Sequence, residues 1–204
     1  MRTTSGRRAV AARLGVASRV AHAQMSAIYA ELGLDAADCR PHFFQAGYVR
    51  DFAAAVDRAC LAAGRDAWLE KTPDHLHHVG RLSRLIPGVR FVHILRGGFD
   101  NVCSLVDVTR KHRNWSTRPL TPPEAFERWA ADVETSLACA GRPNHLLVRH
   151  ADLVASTESV LRAVDRFAGL DFHPAQLAGM ELGRIASDAE PWKKGVSGGV
   201  SLPD

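Results

Sequence analysis

The chain has 204 residues, 46% of them apolar and 24% charged, a make-up that suits one globular domain spanning residues 1–204. Its net charge of +4 comes mostly from scattered arginines, too slight and dispersed for a nucleic-acid surface but compatible with a small anionic ligand. No apolar run reaches the length of a membrane span, and the arginine-rich N-terminus lacks the apolar stretch of a secretion signal.

In chain order, residues 7 to about 32 place Val10, Leu14, Val20, Ile28 and Leu32 at helical intervals, and Gly33 can end the helix. A loop around Pro41 follows. A second helix is predicted from about Gln45 to Ala63, with Tyr48, Phe52, Val56, Ala59 and Cys60 on one stripe and Gly64 closing it. Trp68 to Lys71 reads as a short strand stopped by Thr72-Pro73. Asp74 to Leu85 returns to helical spacing and stops before Pro87-Gly88.

Arg90 to Leu95 is the second predicted strand, and its mostly apolar stretch from Phe91 has the pattern of a strand buried on both faces. Gly97-Gly98 gives a sharp turn, and a helix runs from about Phe99 to His112. After a loop holding Pro119, Pro122 and Pro123, a helix spans about Glu124 to Ala140, with Phe126, Trp129, Val133 and Leu137 toward the core. His145 to Arg149 is the third predicted strand. Ser156 or Thr157 caps the next helix, Gly169 ends it, and Pro174 begins a short one. Helices separating strands imply right-handed crossovers in a parallel sheet. The predicted class is therefore α/β: a three-layer parallel sheet of few strands flanked by helices.

The four cysteines, Cys39, Cys60, Cys103 and Cys139, show no paired spacing and read as reduced packing residues of a cytoplasmic protein. His75 and His78 stand three apart on one predicted helix, but no third ligand accompanies them, so no metal is expected. The most informative unit is Phe91 to Ser104, FVHILRGGFDNVCS. Arg96 there stands at the carboxyl edge of a strand beside a helix start, where α/β sheets bind ligands. Free N–H groups with a guanidinium favour an anion, phosphate above all.

Three segments resemble the sulfotransferases that use 3′-phosphoadenosine 5′-phosphosulfate. The first is WLEKTPDHLHHVGRLSRLIPGVRFVHILRGGFDNVCSL, with its Lys-Thr strand end, Pro-Gly turn, strand ending in Arg and Ser eight residues later. The second is LLVRHADLVASTESVLRAVDRFAGLDFHP, similar to a strand with Arg-Tyr-Glu-Asp-Leu and the helix after it. The third is KKGVSGG, similar to an Arg-Lys-Gly-x-x-Gly loop. The resemblance implies a P-loop-nucleotide-hydrolase-like fold and that adenylyl donor as co-substrate. It further implies that Arg96 and Ser104 hold the 3′-phosphate and that Lys193, Lys194, Gly195 and Gly198 close over it. Lys71 would stabilise developing charge. The base is His75, where relatives carry a histidine directly after Lys-Thr, or Glu70. His150 takes the place of the family's tyrosine.

Besides Pro73 after Lys-Thr and His150-Ala151 for Tyr-Glu, the chain departs from the family at the strand end and at the front. Arg96-Gly97-Gly98-Phe99-Asp100 replaces Arg-Asp-Pro-Arg-Asp. The family's opening strand and Arg-Ser-Gly-Thr-Thr loop, which cradle the 5′-phosphosulfate, have no counterpart. Arg2-Thr3-Thr4-Ser5-Gly6 has the residue types in the wrong order with no strand before it. The expectation is an N-terminally incomplete domain lacking the first strand and loop. Its function is then sulfuryl transfer to a hydroxyl or amine of a small-molecule or glycan acceptor. The alternative is a non-catalytic remnant that binds adenosine 3′,5′-bisphosphate or serves as an interaction module. A small kinase is disfavoured, because no GxxxxGK[ST] loop can be quoted. Phe43, Phe44, Trp115 and Pro119 are candidate linings of the acceptor pocket.

Overall fold

The computed structural model describes residues 22–42, 44–111, 116 and 118–177. It is a helix-rich α/β protein in two compact units, Met1–Val89 and Arg90–Asp204.

In the first unit, residues 22–31 form α1, and Gly33 ends it with a φ of 65°. Helix α2 is Gln45–Ala62, and Gly64 (φ 66°) follows it. The core is Tyr29, Cys39 and Ala55, with Met25, Leu34 and Phe52 packed against it. Tyr29 meets Phe52 edge-on, ring centroids 6.0 Å apart. That aromatic pair buries more area than an aliphatic residue can, so α1 turns Met25 and Tyr29 inward and leaves the expected Ile28 and Leu32 exposed. Burial of the Tyr29 phenol, whose hydroxyl has no hydrogen-bond partner among the described residues, pushes its pKa up to about 12. Asp51 of α2 accepts from Arg40 at 2.7 and 3.0 Å and pairs with His42 at 2.7 Å. The Arg40 hydrogen bonds are the main reason its carboxyl titrates below the usual range.

The predicted strand at Trp68 to Lys71 does not form; residues 67–72 are irregular. A strand needs a ladder partner, and no other strand is described in this unit. The Trp68 side chain is held by α2 instead: its Nε1 donates to Asp57 at 2.7 Å. The predicted helix from Asp74 is a 3-10 segment, Pro73–His78, followed by α3, Val79–Leu85.

In the second unit, β1 is Phe91–Leu95, α4 Gly98–Lys111, α5 Pro122–Leu137, β2 His145–Arg149, α6 His150–Ala155 and α7 Thr157–Ala168. Strands β1 and β2 pair in parallel, with Phe91 opposite His145 and Leu95 opposite Arg149. A parallel pair needs a long crossover, which α4 and α5 supply. His93 and Val148 are buried, whereas Val92 and Ile94 are exposed, so β1 is not covered on both faces as its apolar run suggests.

Helix α5 starts earlier than predicted. Pro122 and Pro123 occupy its first positions, where a missing N–H costs nothing. The Glu124 carboxylate reaches back to the Thr121 N–H and hydroxyl, both at 2.8 Å. Arg118 closes on the same carboxylate. The buried face of α5 is also displaced from the predicted stripe: Phe126 and Leu137 are each 54% exposed, while Ala125 and Ser136 are buried. Ser136 there meets His93 of β1 at 3.2 Å, and on α4 the buried Thr109 donates to the Leu105 carbonyl at 2.8 Å and accepts from Leu120 N–H at 3.0 Å. Of the cysteines, Cys39 and Cys139 are buried and Cys103 is exposed; all four are reduced.

The Arg118 hydrogen bond, then those of Thr121, lower the Glu124 pKa from 4.5 to about 2. A depressed carboxylate stabilises the fold fully above its unfolded pKa and ceases to do so as pH falls through its folded one. Stability is therefore expected to decline between about pH 4.5 and pH 2 through this group. Urea melts across that range should show a flatter acid limb for Glu124→Gln; an unchanged limb removes the assignment.

Candidate functional site

The Arg96 corner is built by two elements. Strand β1 ends at Leu95, Gly97 O accepts from Asn101 N–H at 3.1 Å, and α4 begins at Gly98. Neither Gly97 nor Gly98 has a positive φ, so backbone reversal is not what the pair supplies. Gly98 is needed for space: a Cβ there would lie 2.9–3.1 Å from the Trp129 ring. Trp129 Nε1 in turn donates to the Arg96 carbonyl at 3.2 Å. One indole of α5 thus fixes both the strand end and the helix start.

The Arg96 Nε is buried and has no hydrogen-bond partner among the described residues. The first N–H groups of an α-helix have no intrahelical acceptor, and the dipole adds positive potential. Arg96 and the start of α4 are thus suited to an anion. Asp100, in the first turn, is the one acidic residue there. Ser104 is exposed on α4, six positions beyond Gly98, and roughly 9 Å along the axis at 1.5 Å per residue.

The first unit holds the other candidates. His75 Nδ1 lies 2.6 Å from Glu70 Oε2, and the Thr72 hydroxyl donates to the other oxygen of Glu70. Thr72 is extended, its carbonyl accepts from His75 N–H at 3.1 Å, and Pro73 opens the 3-10 turn. The Thr-Pro turn therefore swings His75 back onto Glu70. The sequence sets Glu70 and His75 as rivals for one role; the structure joins them as a hydrogen-bonded pair. No strand forms at Glu70 and Lys71, so strand alternation does not set them on opposite faces. Lys71 is exposed beside them.

His150 opens α6 instead of lying in a strand. Phe44 and Pro119 are exposed. Phe43, Trp115, Lys193, Lys194, Gly195 and Gly198 lie outside the described residues.

Sequence reading missed one cluster. His93 of β1, His145 of β2 and Cys139 after α5 are all buried, and their ligating atoms lie within 4.8 Å of one another. The signal was available in the alternation of strands: two register positions separate His93 from the residue facing His145, so both project from the same face of the sheet.

The model of the sulfotransferase family matches residues 18–174, more than half of the chain. The matched region takes in Lys71, His75, Arg96 and Ser104 and ends before Lys193. No curated protein and no solved structure matches. The chain belongs to the sulfotransferase family, whose reaction is the transfer of a sulfuryl group.

The Gly98–Trp129 contact gives a test of the corner. Gly98→Ala should destabilise the fold by about 1–3 kcal/mol through overpacking. In a Trp129→Ala background most of that cost should vanish. A double-mutant cycle by urea unfolding that shows additive effects would remove the contact from the account.

Proposed function

We propose that this sulfotransferase-family protein moves the sulfuryl group of 3′-phosphoadenosine 5′-phosphosulfate to a hydroxyl or amine of a small-molecule or glycan acceptor. The single observation that carries the donor assignment is the Arg96 corner, a buried guanidinium nitrogen without a partner among the described residues beside a helix start. Arg96 grips the 3′-phosphate with charge-assisted hydrogen bonds, the first amides of α4 add neutral ones, and the Ser104 hydroxyl donates from further along the helix. Lys193, Lys194, Gly195 and Gly198 are assigned to the same phosphate on the likeness of KKGVSGG to the family's loop.

In the reaction an acceptor oxygen or nitrogen bonds to sulfur as the bond from sulfur to the 5′-phosphate oxygen breaks. Adenosine 3′,5′-bisphosphate leaves with the bonding electron pair. Charge spreads over the equatorial oxygens, so positioning and cationic stabilisation dominate, as in phosphoryl transfer. The Lys71 ammonium stabilises that charge. His75 takes the acceptor proton on Nε2, because Nδ1 is engaged by Glu70. Glu70 is a positioning residue: it fixes the tautomer and stabilises the imidazolium that forms. A cytoplasmic site of action is assigned on the cysteine spacing in the sequence, which has no paired pattern. Among the described residues no helix is long and apolar enough to cross a membrane.

Calorimetry with adenosine 3′,5′-bisphosphate tests the donor site. Arg96→Ala should lose about 1.5–3 kcal/mol of affinity and Ser104→Ala less, as expected for a charged and a neutral hydrogen bond. Equal affinity in both variants and the parent would sink the assignment. For the base, His75→Ala should lower kcat far more than donor affinity, and Glu70→Gln should lower kcat by less than His75→Ala with donor affinity unchanged. Donor-product binding with no turnover in any acceptor class would favour the non-catalytic reading.

A further inference from the structure

We propose that His93, His145 and Cys139 form a structural binding site for a zinc-class divalent ion in the core of the second unit. The three side chains are 7%, 8% and 2% exposed, and each offers a ligand atom within 4.8 Å of the others. Two imidazoles and one thiol are the donors that borderline-soft first-row ions select. They also come from three different places in the chain: β1, β2 and the turn after α5.

The hydrogen bonds around them already aim one ring. Ser136 has a single hydroxyl hydrogen, and it is donated to the Asp132 carbonyl at 2.9 Å. Ser136 Oγ, 3.2 Å from His93 Nδ1, therefore accepts from that nitrogen. This fixes His93 as the Nδ1–H tautomer and leaves a lone pair on Nε2, which points at His145 Nδ1, 2.9 Å away. Metal-bound histidines are held in the same way, with the second ring nitrogen donating to a neighbouring oxygen. The His145 ring is held by stacking on Phe91, with centroids 4.8 Å apart and planes 21° apart.

Electrostatics favour the neutral ligand forms. Burial lowers the pKa of His93, with the neighbouring His145 adding to it, and burial likewise lowers that of His145. Binding proceeds with a simple proton balance. His145 moves its proton from Nδ1 to Nε2 and stays neutral, the thiol of Cys139 gives up one proton, and a water completes four-coordination. One proton is released per ion bound. The hydrogen bond between the two rings is replaced by two bonds to the ion. The result is a clamp that ties both strands to the C-terminal end of α5.

The full chain, stripped with a chelator, should take up one equivalent of cobalt(II). The expected spectrum has visible ligand-field bands of a four-coordinate site and a near-ultraviolet thiolate-to-cobalt charge-transfer band, both erased by zinc. Cys139→Ser should abolish the charge-transfer band, and His145→Ala should weaken cobalt binding at least about tenfold, within the range for losing a ligand or its support. His78→Ala should change neither. Zinc should also raise the melting temperature of the unmutated chain, since an ion that binds only the folded state stabilises it. That measurement decides the matter if the buried variants fail to fold. No charge-transfer band with stoichiometric cobalt, a band that survives Cys139→Ser, or no zinc effect on melting would each overturn the site. Donor binding plays no part in these readouts, so they stand or fall apart from the proposed reaction.

Discussion

The second unit depends on one constraint: β1 and β2 pair in parallel, in a register that sets Phe91 against His145 and Leu95 against Arg149. Parallel neighbours cannot be joined by a tight turn, so α4 and α5 must carry the chain from the end of one strand to the start of the next. The same register determines what emerges at each end. Arg96 leaves the carboxyl edge of β1 where the amides of α4 begin. His93 and His145 are brought to one face, beneath α5, where Ser136 and Cys139 meet them. Shifting one strand by a single residue would turn every side chain to the opposite face. Both histidines and the anion corner are thus consequences of a single pairing.

Periodicity and punctuation revealed much of this fold. The apolar runs at Phe91–Leu95 and His145–Arg149 are strands, and Gly33, Gly64 and Gly169 follow helices with positive φ. The failures share a physical origin in partners that the local sequence does not display. Trp68 to Lys71 has strand-forming residues, but its unit offers no ladder partner among the described residues. Phe126 and Leu137 sit at helical spacing on α5, yet packing against α4 and the sheet favours the small Ala125 and Ser136. The start of α5 was legible, since Thr121-Pro-Pro-Glu124 has the spacing of a capping box. The prolines obscured it, because they usually signal a loop.

The candidate site was legible unevenly. Arg96 stood out because a lone cation ends an apolar strand, a local pattern. The joining of Glu70 and His75 depends on a 3-10 turn, which sequence spacing did not resolve from an ordinary helix. Glu70 stands before the helix predicted from Asp74, so helical spacing does not bring it to His75. The irregular approach through Thr72 makes the meeting possible. His93 and His145 were hidden for a different reason: their proximity follows from register, and register is a property of two segments together.

The contact between Gly98 and Trp129 also bears on descent. The family's pattern places a proline where this chain has Gly98, and the indole of Trp129 occupies the volume that a proline ring would need. A side chain at this corner strains against the indole unless the ring moves, so glycine here and tryptophan on the crossover helix suit each other. In a set of related chains, glycine at the corner and tryptophan on the crossover helix should therefore be inherited as a pair. A relative with proline restored should carry a smaller side chain in place of the indole. The exchange leaves Arg96 where it was, so the cation at the strand end and the scaffold behind it can evolve on separate schedules.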